Sequence, residues 1–293
     1  TDDQGWRIEI DAWPRLTETG AATQVGGGLD APAFYTKADY RRIVEYAAER
    51  HIVVVPEIDL PGHTNAALTA YPELAIPGTD PRPYEGIEVG FSTLDTRNEL
   101  TYRFVADVIR EVAELTPGPW LHLGGDESLA TDEADYLRFV ERVTAIAAET
   151  GKQLIGWHEM GRSRALPRGT IGQYWNLTTP EPPHDAHLRS FIEQDGWAIL
   201  SPGDVAYLDM QRWDGDAYGL FLSVQAVGGI AIPRREITIP RFHGEVIDVT
   251  TPDLLSINLD FGNETFGHLF SSFATPATKA PWFELYAERG TVS

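Results

Sequence analysis

The chain has 293 residues, 42% of them hydrophobic and 23% charged, which suits a globular protein with a sizeable core and excludes a disordered one. Its formal net charge of −21 sets it against nucleic acids and anionic membranes, both of which would repel it, and favours a neutral partner. With no Cys there is neither a disulfide framework nor thiolate chemistry, so the redox compartment is not legible.

The opening Thr1-Asp2-Asp3-Gln4-Gly5-Trp6 is polar and lacks an initiator Met, which suggests a sequence that begins inside a longer protein. Thr36 is a predicted N-cap with Asp39 three residues on, and Tyr40, Ile43, Val44 and Ala47 recur at helical spacing. The run Ile52 to Asp59 reads as a buried strand closed by Pro61-Gly62. Leu100, Phe104, Val108, Val112 and Leu115 mark a second helix, Pro117-Gly118-Pro119 breaks it, and Trp120 to Leu123 is the next strand. A third helix carries Leu137, Val140 and Ala147 and stops at Gly151. Strand-like stretches follow at Gln153–Trp157, Thr170–Trp175 and Trp197–Ser201, with a helix from about His184 to Gln194 between the last two. Beyond about Asp216 helical periodicity fades into short apolar runs among Gly, Pro and Thr.

Strands alternating with helices predict a parallel α/β architecture, either a doubly wound sheet or a (β/α)8 TIM-type barrel. Asp59, Asp126, Glu127, Trp157 and Trp175 all fall at the C-terminal ends of successive strands, the rim on which barrel enzymes build their sites. No GxGxxG loop follows the first strand, so the barrel is favoured over a nucleotide-binding sheet. Residues 1–216 are read as a partial catalytic barrel, and 217–293 as a divergent segment that closes the barrel or forms a β-rich appendage.

Within Trp120 to Ser128, two adjacent acids follow an apolar run and a Gly-Gly pair. Carboxylates at the end of a buried strand, with no neighbouring Lys or Arg, cost desolvation free energy that sites of acid chemistry tolerate. Asp132-Glu133, by contrast, needs only the helix start that it accompanies.

The segments TDDQGWRIEI (1–10), VPEIDLPGH (55–63), HLGGDE (122–127), GWHE (156–159), QYW (173–175) and YLD (207–209) occur in one order. Together they resemble glycoside hydrolase family 20, the β-N-acetylhexosaminidases, over residues 1 to about 209. The resemblance implies a barrel that starts before Thr1 and lacks its first strands here. It also implies an exo-enzyme that removes terminal N-acetylglucosamine or N-acetylgalactosamine from an oligosaccharide or glycoconjugate by a retaining, substrate-assisted mechanism, as known for this family. On that basis Asp126 orients the substrate's 2-acetamido group and Glu127 is the general acid and then the base. One of them stays ionised while the other begins protonated, their repulsion separating the two proton affinities. Asp59 and His63 are expected to pair beside Glu127. Trp157 and Trp175 are expected to box the acetamido group, and His122, Tyr207 and Asp209 to contact substrate. No metal and no cofactor is called for.

Two other readings are open to the sequence. One is a catalytically silent sugar-binding remnant of the fold. The other is a metal-dependent hydrolase using His63, His122 and His158, which lacks any His-Glu-x-x-His pattern in its support.

Overall fold

A computed structural model describes residues 2–29, 31–207, 223–230, 233–236, 244, 246–248, 254–262, 265–272, 285–287 and 290–292. The chain divides into two compact units, Thr1–Gly203 and Asp204–Ser293.

The first unit begins with a short helix α1 (Arg15–Glu18) and a two-residue hairpin, β1 (Thr23–Gln24) with β2 (Gly27–Gly28). Helix α2 (Lys37–Ala48) starts in a capping box in which Thr36 and Asp39 satisfy each other's backbone N–H. After α3 (Asn65–Ala70), helix α4 (Glu99–Leu115) is capped by the Asn98 side chain and buries Phe104, Val105, Val108, Ile109 and Val112 along one face. Strand β3 (Trp120–His122), helix α5 (Glu133–Ala148), β4 (Gln153–Trp157), β5 (Ile171–Tyr174), α6 (His184–Glu193) and β6 (Trp197–Leu200) follow. The four strands form one sheet in the order β3-β4-β5-β6, every pair parallel, with Trp120 opposite Gln153 and Ile171 opposite both Ile155 and Trp197. The β4–β5 connection carries a 3-10 turn, His158–Arg162, where a helix would otherwise stand. Trp6, Phe104, Leu121, Leu123, Tyr136, Phe139 and Phe191 share one buried cluster.

The run 52–59 joins this sheet beside β3 only in part. His122 N–H donates to Pro56 O and Ile58 N–H to His122 O, both at 3.0 Å, but Ile52, Val53 and Val55 are exposed. This corrects the expectation of a buried strand. In the Glu57–His122 register the next ladder bond towards Ile52 would run from the N–H of residue 56 to Trp120 O, and Pro56 has no N–H to give. The half past Pro56 is the buried one, with Ile58 and Leu60 in the core.

Among the described residues the parallel strands form an open arc, and the eight-stranded closure is not part of it. At the β6 edge Trp197 and Leu200 are 65% and 71% exposed. No helix among the described residues is long and apolar enough to cross a membrane.

In the second unit, the short helix α7 (Gly203–Ala206) begins at the junction. The described strands are β7 (Ser223–Gly229), β8 (Arg234–Glu236), β9 (Val246–Asp248), β10 (Leu254–Gly262), β11 (Thr265–Ser272), β12 (Leu285–Ala287) and β13 (Gly290–Val292). They pair antiparallel as β11-β10-β7, β8-β9 and β12-β13. The expected boundary at residue 216 lies outside the described residues.

Candidate active site

The two acids reach the rim through the Gly-Gly pair. Gly124 and Gly125 have φ of 67° and 103°, a region that side chains disfavour. Space forbids a side chain as well, since a Cβ on Gly124 would lie 1.8 Å from Asp59 Oδ1 and one on Gly125 would lie 2.4 Å from Met160 Cγ. Freed in this way, the backbone wraps the Asp59 carboxyl, to which Gly125 N–H donates at 3.0 Å. Gly124 N–H donates to His122 Nδ1 at 3.0 Å, and the Tyr136 hydroxyl donates to Gly125 O. Glu127 itself adopts φ 42°, a left-handed conformation that costs a non-glycine residue about 1–3 kcal/mol and recurs at functional sites.

Around this turn four acids surround one histidine. His63 is buried, and its Nδ1 lies 3.0 Å from Asp2 Oδ1. Its Nε2 lies 3.5 Å from Asp126 Oδ2 and 3.3 Å from Glu127 Oε2, within ion-pairing range of both though aligned as a hydrogen bond to neither. Burial works against a charge on His63, but Asp126, Asp2 and Glu127 together outweigh it, so the imidazole is held protonated well above its usual range. Asp3, fully buried beneath, accepts from Asn65 N–H at 2.9 Å and from the Ser92 hydroxyl.

Asp59 stands in one cluster with His63 and Asp126, their ligand atoms within 4.8 Å of one another. Burial, then the Asp126 charge, pushes the Asp59 carboxyl well above the carboxylate range. Burial also opposes the charge on Asp126, but His63 and the proton on Asp59 hold it ionised, below its ordinary value. The proton affinities of Asp59 and Asp126, brought together from two separate segments, are thus pushed in opposite directions.

The two tryptophans stand at the ends of β4 and β5. Trp157 donates from Nε1 to Glu57 Oε1 at 3.0 Å and packs edge-on to His122, ring centroids 4.9 Å apart. His122 is 3% exposed, so it braces the turn and Trp157 from beneath the rim rather than facing solvent. Trp175 donates to both oxygens of Glu159, at 3.0 and 3.2 Å. Tyr207 is half-buried and belongs to the second unit, and Asp209 lies outside the described residues.

Asp2, Asp3 and Glu159 were not singled out from the sequence. Asp2 and Asp3 stood inside the DDQGW segment and Glu159 inside GWHE, so the motifs held the signal while their spacing gave no partner.

Asp2, Asp3 and His63, and separately Asp59, His63 and Asp126, bring potential ligand atoms within 4.8 Å of one another. Among the described residues no such group unites His63, His122 and His158.

The model of glycosyl hydrolase family 20, catalytic domain, matches residues 1–133 and 129–220 of this chain. The chain belongs to glycosyl hydrolase family 20. It is 42% identical over 211 residues to a beta-N-acetylhexosaminidase of Cellulomonas fimi, an alignment spanning 72% of this chain and 41% of that protein. A beta-hexosaminidase of Porphyromonas gingivalis is 34% identical over 257 residues, spanning 79% of this chain and 31% of the relative. The solved N-acetyl-beta-hexosaminidase of Streptomyces plicatus, in complex with Thio-NAglucal, superposes with a TM-score of 0.70 at 48% identity, covering 76% of this chain and 44% of that one. The family 20 beta-N-acetylhexosaminidase of Streptomyces coelicolor A3(2) gives 0.69 at 48% identity, covering 76% and 44%. The chain therefore spans under half the length of these relatives, and its parallel arc is part of a TIM-barrel-like α/β fold.

Proposed function

We propose that this chain carries the catalytic apparatus of a retaining exo-β-N-acetylhexosaminidase acting on terminal N-acetylglucosamine or N-acetylgalactosamine. The observation that carries the reading is the geometry of the turn: Asp126 and Glu127 stand side by side at the rim, 3.5 and 3.3 Å from His63 Nε2, with Asp59 in the same cluster as Asp126. Two acids adjacent in sequence do not straddle a sugar ring, as a nucleophile and an acid must, so the nucleophile belongs to the substrate. Its acetamido carbonyl oxygen attacks the anomeric carbon, and the bond to the leaving oxygen breaks as Glu127 gives that oxygen a proton. Asp126 accepts the acetamido N–H and offsets the positive charge that develops on the oxazolinium ring. Glu127, now a carboxylate, takes a proton from water as the water opens the ring, and configuration at the anomeric carbon is retained.

In this reading Trp157 and Trp175 flank the acetamido group and exclude water, with His122 behind Trp157. Tyr207 and Asp209 supply hydroxyl contacts, 1–216 is the catalytic part, and 217–293 closes the barrel or adds a β-rich appendage. A second reading, sugar binding without turnover, is favoured by the span of under half the relatives' length and by the exposed apolar edge at Trp197 and Leu200.

Hydrolysis of an aryl β-N-acetylglucosaminide distinguishes the two. Turnover is expected from the chain, with Glu127→Gln losing about 10²- to 10⁴-fold and Asp126→Asn about 10²- to 10³-fold. Binding of a thiazoline mimic of the cyclised intermediate without turnover would establish the second reading, and neither binding nor turnover would refute both.

A further inference from the structure

Among the described residues Trp175 is one of two tryptophans at the rim, and its orientation is set by a group that the proposed reaction does not use. Its indole N–H is shared between the two oxygens of Glu159, whose side chain is 12% exposed. Glu159 lies on the 3-10 turn after β4, and Trp175 lies just past β5. The fully buried His158 stands behind Glu159, its Nδ1 3.3 Å from Glu159 Oε2 and without an aligned hydrogen-bond partner. Its Nε2 is 2.7 Å from Nδ1 of His184, the first residue of α6. The His158 ring also packs against Tyr174 and Trp175, with centroids 5.1 and 5.9 Å away. A single polar chain, Trp175–Glu159–His158–His184, thus runs from the residue past β5 through the turn after β4 to the start of α6.

We propose that Glu159 is the positioning residue for Trp175, braced by His158 and His184, and that it fixes the indole wall against which the acetamido group would close. This rests on the function proposed above. An indole held by a buried two-oxygen acceptor cannot swing about its side-chain torsions, and the width of an acetamido slot depends on that restraint.

Protonation fits the same arrangement. The groups facing Glu159 are Asp126 from the β3 turn, Trp175 past β5, Tyr136 from α5, and Arg162 and His158 on its own turn. Burial, followed by the Asp126 charge, pushes the Glu159 carboxyl up to about 8, while burial holds His158 down to about 3 and hence neutral. A protonated Glu159 donates its O–H to the open Nδ1 of His158, whose Nε2–H then donates to His184, and it still accepts from Trp175. It adds no second negative charge beside Asp126.

The test begins with the Trp175 indole N–H in proton–nitrogen correlation spectra of the whole chain, assigned by its loss in Trp175→Phe. The resonance should move with pH about a midpoint near 8 and become insensitive to pH in Glu159→Gln. A resonance that is flat from pH 5 to 10, or that titrates alike in Glu159→Gln, would overturn the proposal. Thiazoline binding by calorimetry adds a second arm. Glu159→Ala should weaken it about tenfold or more, whereas Glu159→Gln, which keeps a carbonyl acceptor, should stay within about threefold. Equal weakening in both would contradict a positioning role. If Glu159→Ala does not fold, the wild-type titration and the Gln variant decide. If the wild type does not bind the thiazoline, the functional reading fails, and the inference then stands or falls on the indole titration.

Discussion

Asp59 and Asp126 are 67 positions apart in sequence and meet at the rim, their ligand atoms within 4.8 Å of each other, with Gly125 N–H fixing Asp59 at 3.0 Å. Burial and the Asp126 charge favour the protonated form of Asp59, while His63 and Asp59 favour the ionised form of Asp126. In this way a buried carboxylate keeps its charge beside another acid.

That relationship predicts different outcomes for two substitutions. Asp59→Asn retains a permanent donor toward Asp126 and should keep hydrolysis of an aryl N-acetylglucosaminide within about tenfold. Asp59→Leu removes a hydrogen bond to a charged group, worth about 1.5–3 kcal/mol, and should cost about 10- to 150-fold in kcat/KM. Equal losses in both variants would show that the proton on Asp59 does not matter.

Gly124→Ala places a methyl group where the Asp59 carboxyl sits and requires a positive φ from alanine. A loss of at least about 2 kcal/mol in unfolding free energy is expected, together with loss of thiazoline binding because Asp59 is displaced. Urea unfolding followed by tryptophan fluorescence measures the first effect, and a neutral result would contradict the packing described for this turn.

His63 ties stability to pH. Its folded-state pKa is raised above the unfolded value of about 6.5, so its contribution is complete below pH 6.5 and declines as pH rises toward the folded value. Stability should fall above pH 6.5 at a slope approaching 1.4 kcal/mol per pH unit from this one group, an order-of-magnitude figure. Glu159, raised from 4.5 to about 8, adds a fall of the same sign between those values. The comparison of wild type with His63→Gln isolates the histidine: the variant should be less stable at pH 6, and the gap should narrow by pH 9. Parallel curves from urea titrations at pH 6, 7.5 and 9 would remove His63 from the account.

The local elements were readable from the sequence because they depend on neighbours. The Thr36–Asp39 capping box, the apolar stripe of α4 and the Gly-Gly turn before Asp126 each follow from spacing and conformational preference within a few residues. The pairings among polar groups were not readable. His63 reaches Asp2 across 61 residues, and Asp59 meets Asp126 across 67. Such choices depend on which strand ends the sheet brings together, and hydrophobic periodicity carries no information about them. The exposed half of the run 52–59 departs from the buried strand that its apolar residues signal, because Pro56 has no N–H to continue the ladder past Trp120.

The central claim is that the nucleophile is the substrate's own acetamido oxygen, steered by Asp126 with Glu127 supplying the proton. The most direct measurement is hydrolysis by this chain of aryl β-glucosaminides whose N-acyl group runs from acetyl through fluoroacetyl to trifluoroacetyl. Because fluorine weakens the carbonyl oxygen as a nucleophile, kcat/KM should fall by about tenfold or more across the series, a barrier increase of at least about 1.4 kcal/mol. A rate independent of fluorination would contradict the account, as would the absence of turnover with any member.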